Sequence, residues 1–430
     1  MTGIPQILCA FNLLALVIPV LAGPGGKTVS PPEVTPSVPP SMNLYTGEGV
    51  SLGKVLFPHL HFNSVYGRTA SKLGHELGGG HHDPVANGWT LQGFEAGLSL
   101  RAGEYIEGFT TYHGFWGNED PHDFDGKFEE WFGKIKNLPG GIELRGGRYL
   151  NRFGIHNAVH LHGWDWVDNS LVFGRFLGDD GQYSIGGEVA WTMPLPWISV
   201  LSLSAGEAQT EEHEPEEEGD GAKPDFEGEG ALFADTLVTA DWTNLANYSD
   251  FHQFRFGLSG AWGDNAWGRS TQIYGLHGQY QWRENGLEAG GDYLRWRTEV
   301  LVRRVDALTG HLPGEEPEEE AEAEEAGEEA HADGQPGSFN DWGLTSSVIY
   351  GRSLGPAGVL EAGLRYEFLQ GVGNAALTER HRLSPGLTYF VNRQRTAFIR
   401  SQYNWDRIDG ETENSIWFGL GLNWGGPEVR

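Results

Sequence analysis

The chain has 430 residues, 64 of them glycine, with 12% aromatics, one cysteine and a formal charge of −30. Glycine and aromatic residues run throughout, so the chain does not divide into the two or three soluble domains its length could hold. So acidic a balance excludes nucleic acid as a partner, because phosphate recognition needs a basic stripe.

The first element is an apolar stretch, Ile7 to Ala22, that ends in small residues and reads as a secretory signal over residues 1–22. It lacks a preceding Lys or Arg, which leaves a retained anchor as the alternative. Cys9 lies inside it, and a cysteine-free remainder suits an exported protein that needs no disulfides. Residues 23–56 follow as a proline-rich segment with nothing to pack. No later run of eighteen apolar residues offers a membrane-spanning helix. Only a closed barrel could then cross a bilayer, because every backbone polar group must find its partner within the protein.

From 57 to 424 the polarity alternates in short segments. Strands are expected near 57–66, 89–101, 103–115, 125–136, 141–150, 181–193, 197–207 and 232–243. The second half continues with 251–263, 270–283, 287–304, 339–352, 357–370, 380–391, 394–407 and 414–424. In 359–369 one face carries Leu360, Ala362, Leu364, Tyr366 and Phe368, and the other Glu361, Gly363, Arg365 and Glu367. Charge on one face of so many strands implies a wet interior, with the apolar face toward lipid. No helices are found to cover a soluble sheet. The fold expected is all-β: a closed antiparallel transmembrane β-barrel of about sixteen strands. The last strand carries Ile416, Phe418, Leu420, Leu422 and Trp424 on one face, and a tail, 425–430, follows.

The connectors sort into two kinds. Long ones (67–88, 116–124, 151–180, 208–231, 305–338) follow odd-numbered strands and are assigned to the cell exterior. The turns after strands 4, 6, 10 and 14 are short and periplasmic, with 244–250 the one exception. Acidic inserts at 209–230 and 306–338 hold net charges of −9 and −12, or 21 of the 30, so the remainder is only mildly acidic.

The third outer loop, entered from Tyr149 and running to Asp168 (YLNRFGIHNAVHLHGWDWVD), is rich in aromatics and histidines, unlike a solvated loop. A third loop of this kind is expected to fold inward and narrow the lumen, as in general-diffusion porins. Phe153, Ile155, Trp164 and Trp166 would pin it to the wall. Arg148, Arg152, His156, His160, His162, Asp165 and Asp168 would face the passage and set selectivity. A loop packed for shape alone is the alternative.

Inward parity also falls on Arg145, Arg255, Arg295, Arg297, Arg303, Arg365 and Arg400. They form either a positive wall facing an acidic loop or a set of local pairs with acids such as Glu143, Glu299 and Glu361. A third set gathers imidazole and carboxylate in the outer loops: His75, His81, His82, Asp83, His122, Asp123, His213 and His331. These ligand types suit zinc or a similar divalent ion, but no spacing defines a tetrahedral site. The expectation is no tightly held cofactor, and at most weak divalent-metal capture; a solvated acidic brush is the alternative. Nucleophile motifs and phosphate-cradling loops are absent, so no enzyme is expected.

Ile142–Asp180 (IELRGGRYLNRFGIHNAVHLHGWDWVDNSLVFGRFLGDD), Arg269–Trp282, Trp296–Arg304 and Arg382–Tyr389 carry a resemblance. They are similar to a family of Gram-negative porin-like proteins, loosely related to phosphate-selective porins and sometimes described as zinc-regulated. The resemblance implies a bacterial outer-membrane barrel, a porin-type passage and metal-linked biology; it supplies no catalytic residues. The resulting reading is passive diffusion of small hydrophilic solutes or ions, with the outer-membrane lipid as surroundings. The rival reading is a barrel that captures zinc or another divalent metal on its outer loops. Porins of this size are often homotrimers, though no contact face is legible. Energy-coupled receptors are excluded, since they need about twenty-two strands and an N-terminal plug.

Overall fold

The computed structural model describes residues 51–53, 55–69, 82–84, 87–116, 124–178, 180–209, 231–266, 268–288, 290–309, 335–373, 377–425 and 428. The expected signal, the proline-rich segment up to residue 50, and most of both acidic inserts lie outside them.

Sixteen antiparallel strands close into one barrel, each paired with its sequence neighbours. They are β1 Leu56–Thr69, β2 Asn87–Ala102, β3 Ile106–Trp116, β4 Phe124–Leu138, β5 Ile142–Leu150, β6 Tyr183–Thr192, β7 Ile198–Gln209 and β8 Phe233–Ser249. Then follow β9 His252–Asn265, β10 Ser270–Arg283, β11 Tyr293–Thr309, β12 Gln335–Ser353, β13 Val359–Leu369, β14 Arg380–Phe390, β15 Ala397–Ile408 and β16 Glu411–Gly425. Closure comes from β1 pairing with β16, with Tyr66 opposite Phe418. A closed sheet leaves no unpaired edge, which is the condition for strands to cross a bilayer.

Period-2 patterning sorts the side chains. On β16, Ile416, Phe418, Leu420, Leu422 and Trp424 are exposed, while Ser415, Trp417 and Asn423 are buried. The same alternation runs around the barrel, so the outer face is an apolar band and the inner face is mostly polar and charged. Trp89, Trp191, Trp197 and Trp424 stand on the outer face near strand ends, as an interfacial aromatic girdle requires.

Three boundaries differ from the sequence reading. The connector at 244–250 is no exception, because β8 runs on to Ser249 and leaves only two residues before β9. β11 starts at Tyr293 rather than 287; Gly286, Gly290 and Gly291 have φ of 61°, 91° and 78°, which breaks the strand conformation there. The second acidic insert is shorter than 306–338, since β11 and β12 extend into it and pair Asp306 with Ser338.

A helix was not expected, yet Leu171–Leu177 forms one (α1), and Leu161–Gly163 makes a single 3-10 turn. Ser170 caps α1, its hydroxyl accepting from the Val172 N–H at 3.2 Å. Nor is the interior wet throughout. Leu171, Val172, Phe173, Phe176 and Leu177 pack with Leu237, Ala261, Ile273, Leu301 and Leu369 of the wall as one apolar cluster inside the barrel. Full burial of side chains such as Val172 and Phe176 stabilises that position by roughly 1.5–3 kcal/mol each.

Candidate functional site

Between β5 and β6 the chain turns into the barrel and crosses it. Asn151 and Asn157 hold the entry: Asn157 Nδ2 donates to the Asn151 carbonyl at 2.8 Å, and Asn151 Nδ2 donates to Ser184 Oγ at 2.8 Å. The Gly154 N–H donates to Ser259 Oγ on β9 at 2.9 Å, and the Ile155 N–H to Glu299 on β11 at 2.9 Å. His160 meets Glu130 on β4 at 2.8 Å, and His162 meets Glu95 on β2 at 2.5 Å. From there the segment returns to the far wall.

Asp165 pairs with Arg295 and, at 2.7 Å, with Arg297, both on β11. Arg400 on β15 donates to the carbonyls of Trp166 and Trp164 at 2.6 and 2.8 Å. Asp168 accepts from Arg365 at 2.5 Å, Arg382 at 3.0 Å, and Gln402 and Asn404 at 2.7 Å each. Trp166 fits where Gly363 and Gly386 leave room; a Cβ on either would lie 3.0 or 2.9 Å from its ring. Residues 154–168 are therefore stapled to opposite walls.

The charges follow from these partners. Burial would raise the Asp165 and Asp168 carboxyls, but the adjacent guanidiniums, Arg295 and Arg297 for one and Arg365 and Arg382 for the other, hold both below the usual range. Burial would lower His162, yet the Glu428 and Glu95 carboxylates raise it to about 9. Burial opposes the Arg152 charge too, and Glu188 and Glu143 keep its pKa raised.

The division of labour differs from the expected one. Arg152, His160 and Asp168, which are buried, and the half-buried Asp165 do not stand free in a passage; they are anchors, joined to the wall by ion pairs. His156, beside Glu299, is the more exposed exception. Arg148 is half-buried and joins none of these wall contacts. Its register partners are the exposed Trp131 and the half-buried Ile185, and its guanidinium stands over the buried Tyr183 ring.

The arginine wall resolves into two kinds of pairing. Arg145 with Glu188, and Arg303 with Asp341, are pairs between adjacent strands. Arg295, Arg297 and Arg365 instead hold acids of the crossing segment, and Arg255 donates to the Gly154 carbonyl at 3.1 Å. The three acids expected as local partners are engaged otherwise: Glu143 with Arg152, Glu299 with His156 and Glu361 with Arg395.

Of the expected outer-loop metal ligands, His75, His81, His122, Asp123, His213 and His331 lie outside the described residues. His82 and Asp83 lie inside the barrel. His82 sits 3.0 Å from Asp180, and Asp83 accepts the Asn169 N–H at 2.6 Å. Sequence reasoning missed the residues that do gather there: His59, His61, Glu95, His113, Glu129 and Glu130. Among the described residues, three groups have their ligand atoms within 4.8 Å of one another: His59/His61/Glu428, His82/His113/Glu129 and Glu95/Glu129/His160. The available signal was parity, because His59 and His61 share one face of β1.

No family model matches the chain, so the link to phosphate-selective or zinc-regulated proteins stays a resemblance. A curated relative from Aquifex aeolicus (strain VF5), called only an uncharacterized protein, is 28% identical over 137 residues. That match covers 31% of this chain and 27% of the relative, so the chain spans about a quarter of the relative's length. Among solved structures, OprB of Pseudomonas putida aligns at a TM-score of 0.53 and 12% identity, over 87% of this chain and 94% of its own. An anion-selective porin from Comamonas acidovorans aligns at 0.51 and 10%, over 86% and 98%. These likenesses are of fold. With its apolar outer band and closed sixteen-strand sheet, the protein shares the β-barrel fold of these outer-membrane porins.

Proposed function

We propose that the protein is an outer-membrane porin that passes small hydrophilic solutes or ions by diffusion, with residues 151–170 narrowing the passage. The observation that carries this reading is the stapling of Asp165 and Asp168 to arginines of β11, β13 and β14, while His160 and His162 hold β4 and β2. A segment tied to both walls sets the free width between them, through charged groups that are themselves taken up in ion pairs with the wall. Planar-bilayer recording of the purified full chain tests it. Stepwise conductance is expected, and its absence in every salt tried would overturn the reading. The assembly is proposed to be a homotrimer, which cross-linking in detergent would report as a threefold mass.

A further inference from the structure

We propose that the barrel interior binds a divalent transition-metal ion at Glu129, whose two carboxylate oxygens face separate sets of donors contributed by β2, β3, the crossing segment and His82. Oε1 lies 2.9 Å from His113 Nδ1 and 4.0 Å from His82 Nε2, and that same His82 nitrogen is 3.0 Å from Asp180. Oε2 lies 3.0 Å from His160 Nδ1, which is 3.8 Å from Glu95. Metal–nitrogen and metal–oxygen bonds of about 2.0–2.1 Å in a tetrahedron place donor atoms roughly 3.3 Å apart. The observed spacings bracket that value, so small side-chain shifts suffice. One carboxylate then serves two adjoining donor sets.

Three features beyond proximity point to a built site. Glu95, His113, Glu129 and His160 are all buried, so bulk water does not compete for the donors. His160 turns its other nitrogen to Glu130 at 2.8 Å, the arrangement by which a second carboxylate orients a ligating imidazole and raises its basicity. The His113 ring lies where Gly93 leaves space, and a Cβ at Gly93 would meet Nε2 at 2.1 Å. Glycine in a strand marks such close approaches.

Charge argues the same way. Four carboxylates (Glu95, Glu129, Glu130, Asp180) gather here; Lys127 pairs with Asp180 at 2.6 Å and His162 with Glu95 at 2.5 Å, and buried carboxylates beyond those two need further positive charge. A divalent ion at the centre, within reach of His82, His113 and His160, supplies it. Mixed imidazole and carboxylate donors favour zinc, cobalt or nickel over magnesium or calcium. Binding displaces imidazole protons, so uptake weakens in acid.

The test is titration of the intact, folded full chain in detergent with Co²⁺, whose visible absorption reports its ligand field, followed by displacement with Zn²⁺. Saturable uptake is expected, and it is to survive removal of residues 210–230 and 310–334. Glu129→Gln is expected to abolish the saturable phase, and Glu130→Gln to weaken it roughly ten- to a hundredfold. If Glu129→Gln does not fold, His160→Gln takes its place in the same titration. No saturable uptake by the intact chain, loss of uptake with the two inserts, or unchanged affinity in the folded variants would each overturn the proposal. None of these outcomes bears on conductance, so the site stands or falls apart from the porin reading.

Discussion

Asp168 and Arg382 are 214 residues apart in the chain and 3.0 Å apart inside the barrel. Arg365 shares the same carboxylate, so one acid of the crossing segment ties two strands of the far wall. Replacing it tests the staple. In Asp168→Asn the two guanidiniums keep Glu367 and Asp406 but lose their shared countercharge. A hydrogen bond to a charged group contributes about 1.5–3 kcal/mol, so docking of the segment weakens by at least that much. Single-channel recording is expected to show a larger or noisier step than the unsubstituted protein; an identical trace would remove Asp168 from the constriction.

Docking depends on pH in a direction fixed by the signs of the shifts. His162 is raised from 6.5 to about 9, so its contribution is complete below 6.5 and is lost as pH rises through 9. Asp165 and Asp168 are depressed; theirs is present above the usual carboxylate range and lost as pH falls below it. Conductance and melting are therefore expected to stay flat from about pH 5 to 6.5 and to shift progressively toward pH 9. His162→Gln should erase the alkaline limb alone, a result read by comparing the two profiles.

Trp166 occupies space that two glycines leave open. Gly386→Ala puts a methyl 2.9 Å from the ring, and overpacking of this kind costs about 1–3 kcal/mol. The expected outcome is a lower midpoint of thermal unfolding, with little further loss when the same change is made in a Trp166→Ala background. Two separate losses that simply add would show that the ring and the glycine do not touch in solution.

The outer face gives an independent check on which side meets lipid. Leu258 is half exposed in the middle of β9. Arginine on the lipid face near the midplane costs about 2–4 kcal/mol, so Leu258→Arg is expected to cut refolding into vesicles sharply. Refolding at the normal yield would place Leu258 away from the hydrocarbon.

Strands β13 to β16 were readable because each alternates without interruption. The start of β11 was not, since Leu287 to Asp292 keeps the rhythm of a strand while its glycines take positive φ. The helix Leu171–Leu177 is seven residues long and almost wholly apolar, too short and too uniform to display a 3.6-residue period. The position of the crossing segment was legible from loop order, but its partners were not. Asp168 and Arg382 share no local pattern; only closure of the barrel brings them together. Histidine runs drew attention to the outer loops, of which His82 does join the gathered groups, whereas the other imidazoles are His59 and His61 of β1, His113 of β3 and His160 of the crossing segment. Parity names the face of each strand, and closure alone decides which faces meet.

Glu428, three residues past β16, lies 3.2 Å from His162 and 3.1 Å from His61. Those contacts require the seam between β1 and β16 to be sealed, and pairing of strands so distant in sequence is intrinsically slow. The crossing segment therefore gains its last anchor only when the cylinder is complete. Residues 162 and 428 thus tie the inner segment to the closing seam. An unfinished barrel would hold its inner segment more loosely, and would leak or be digested before the finished form.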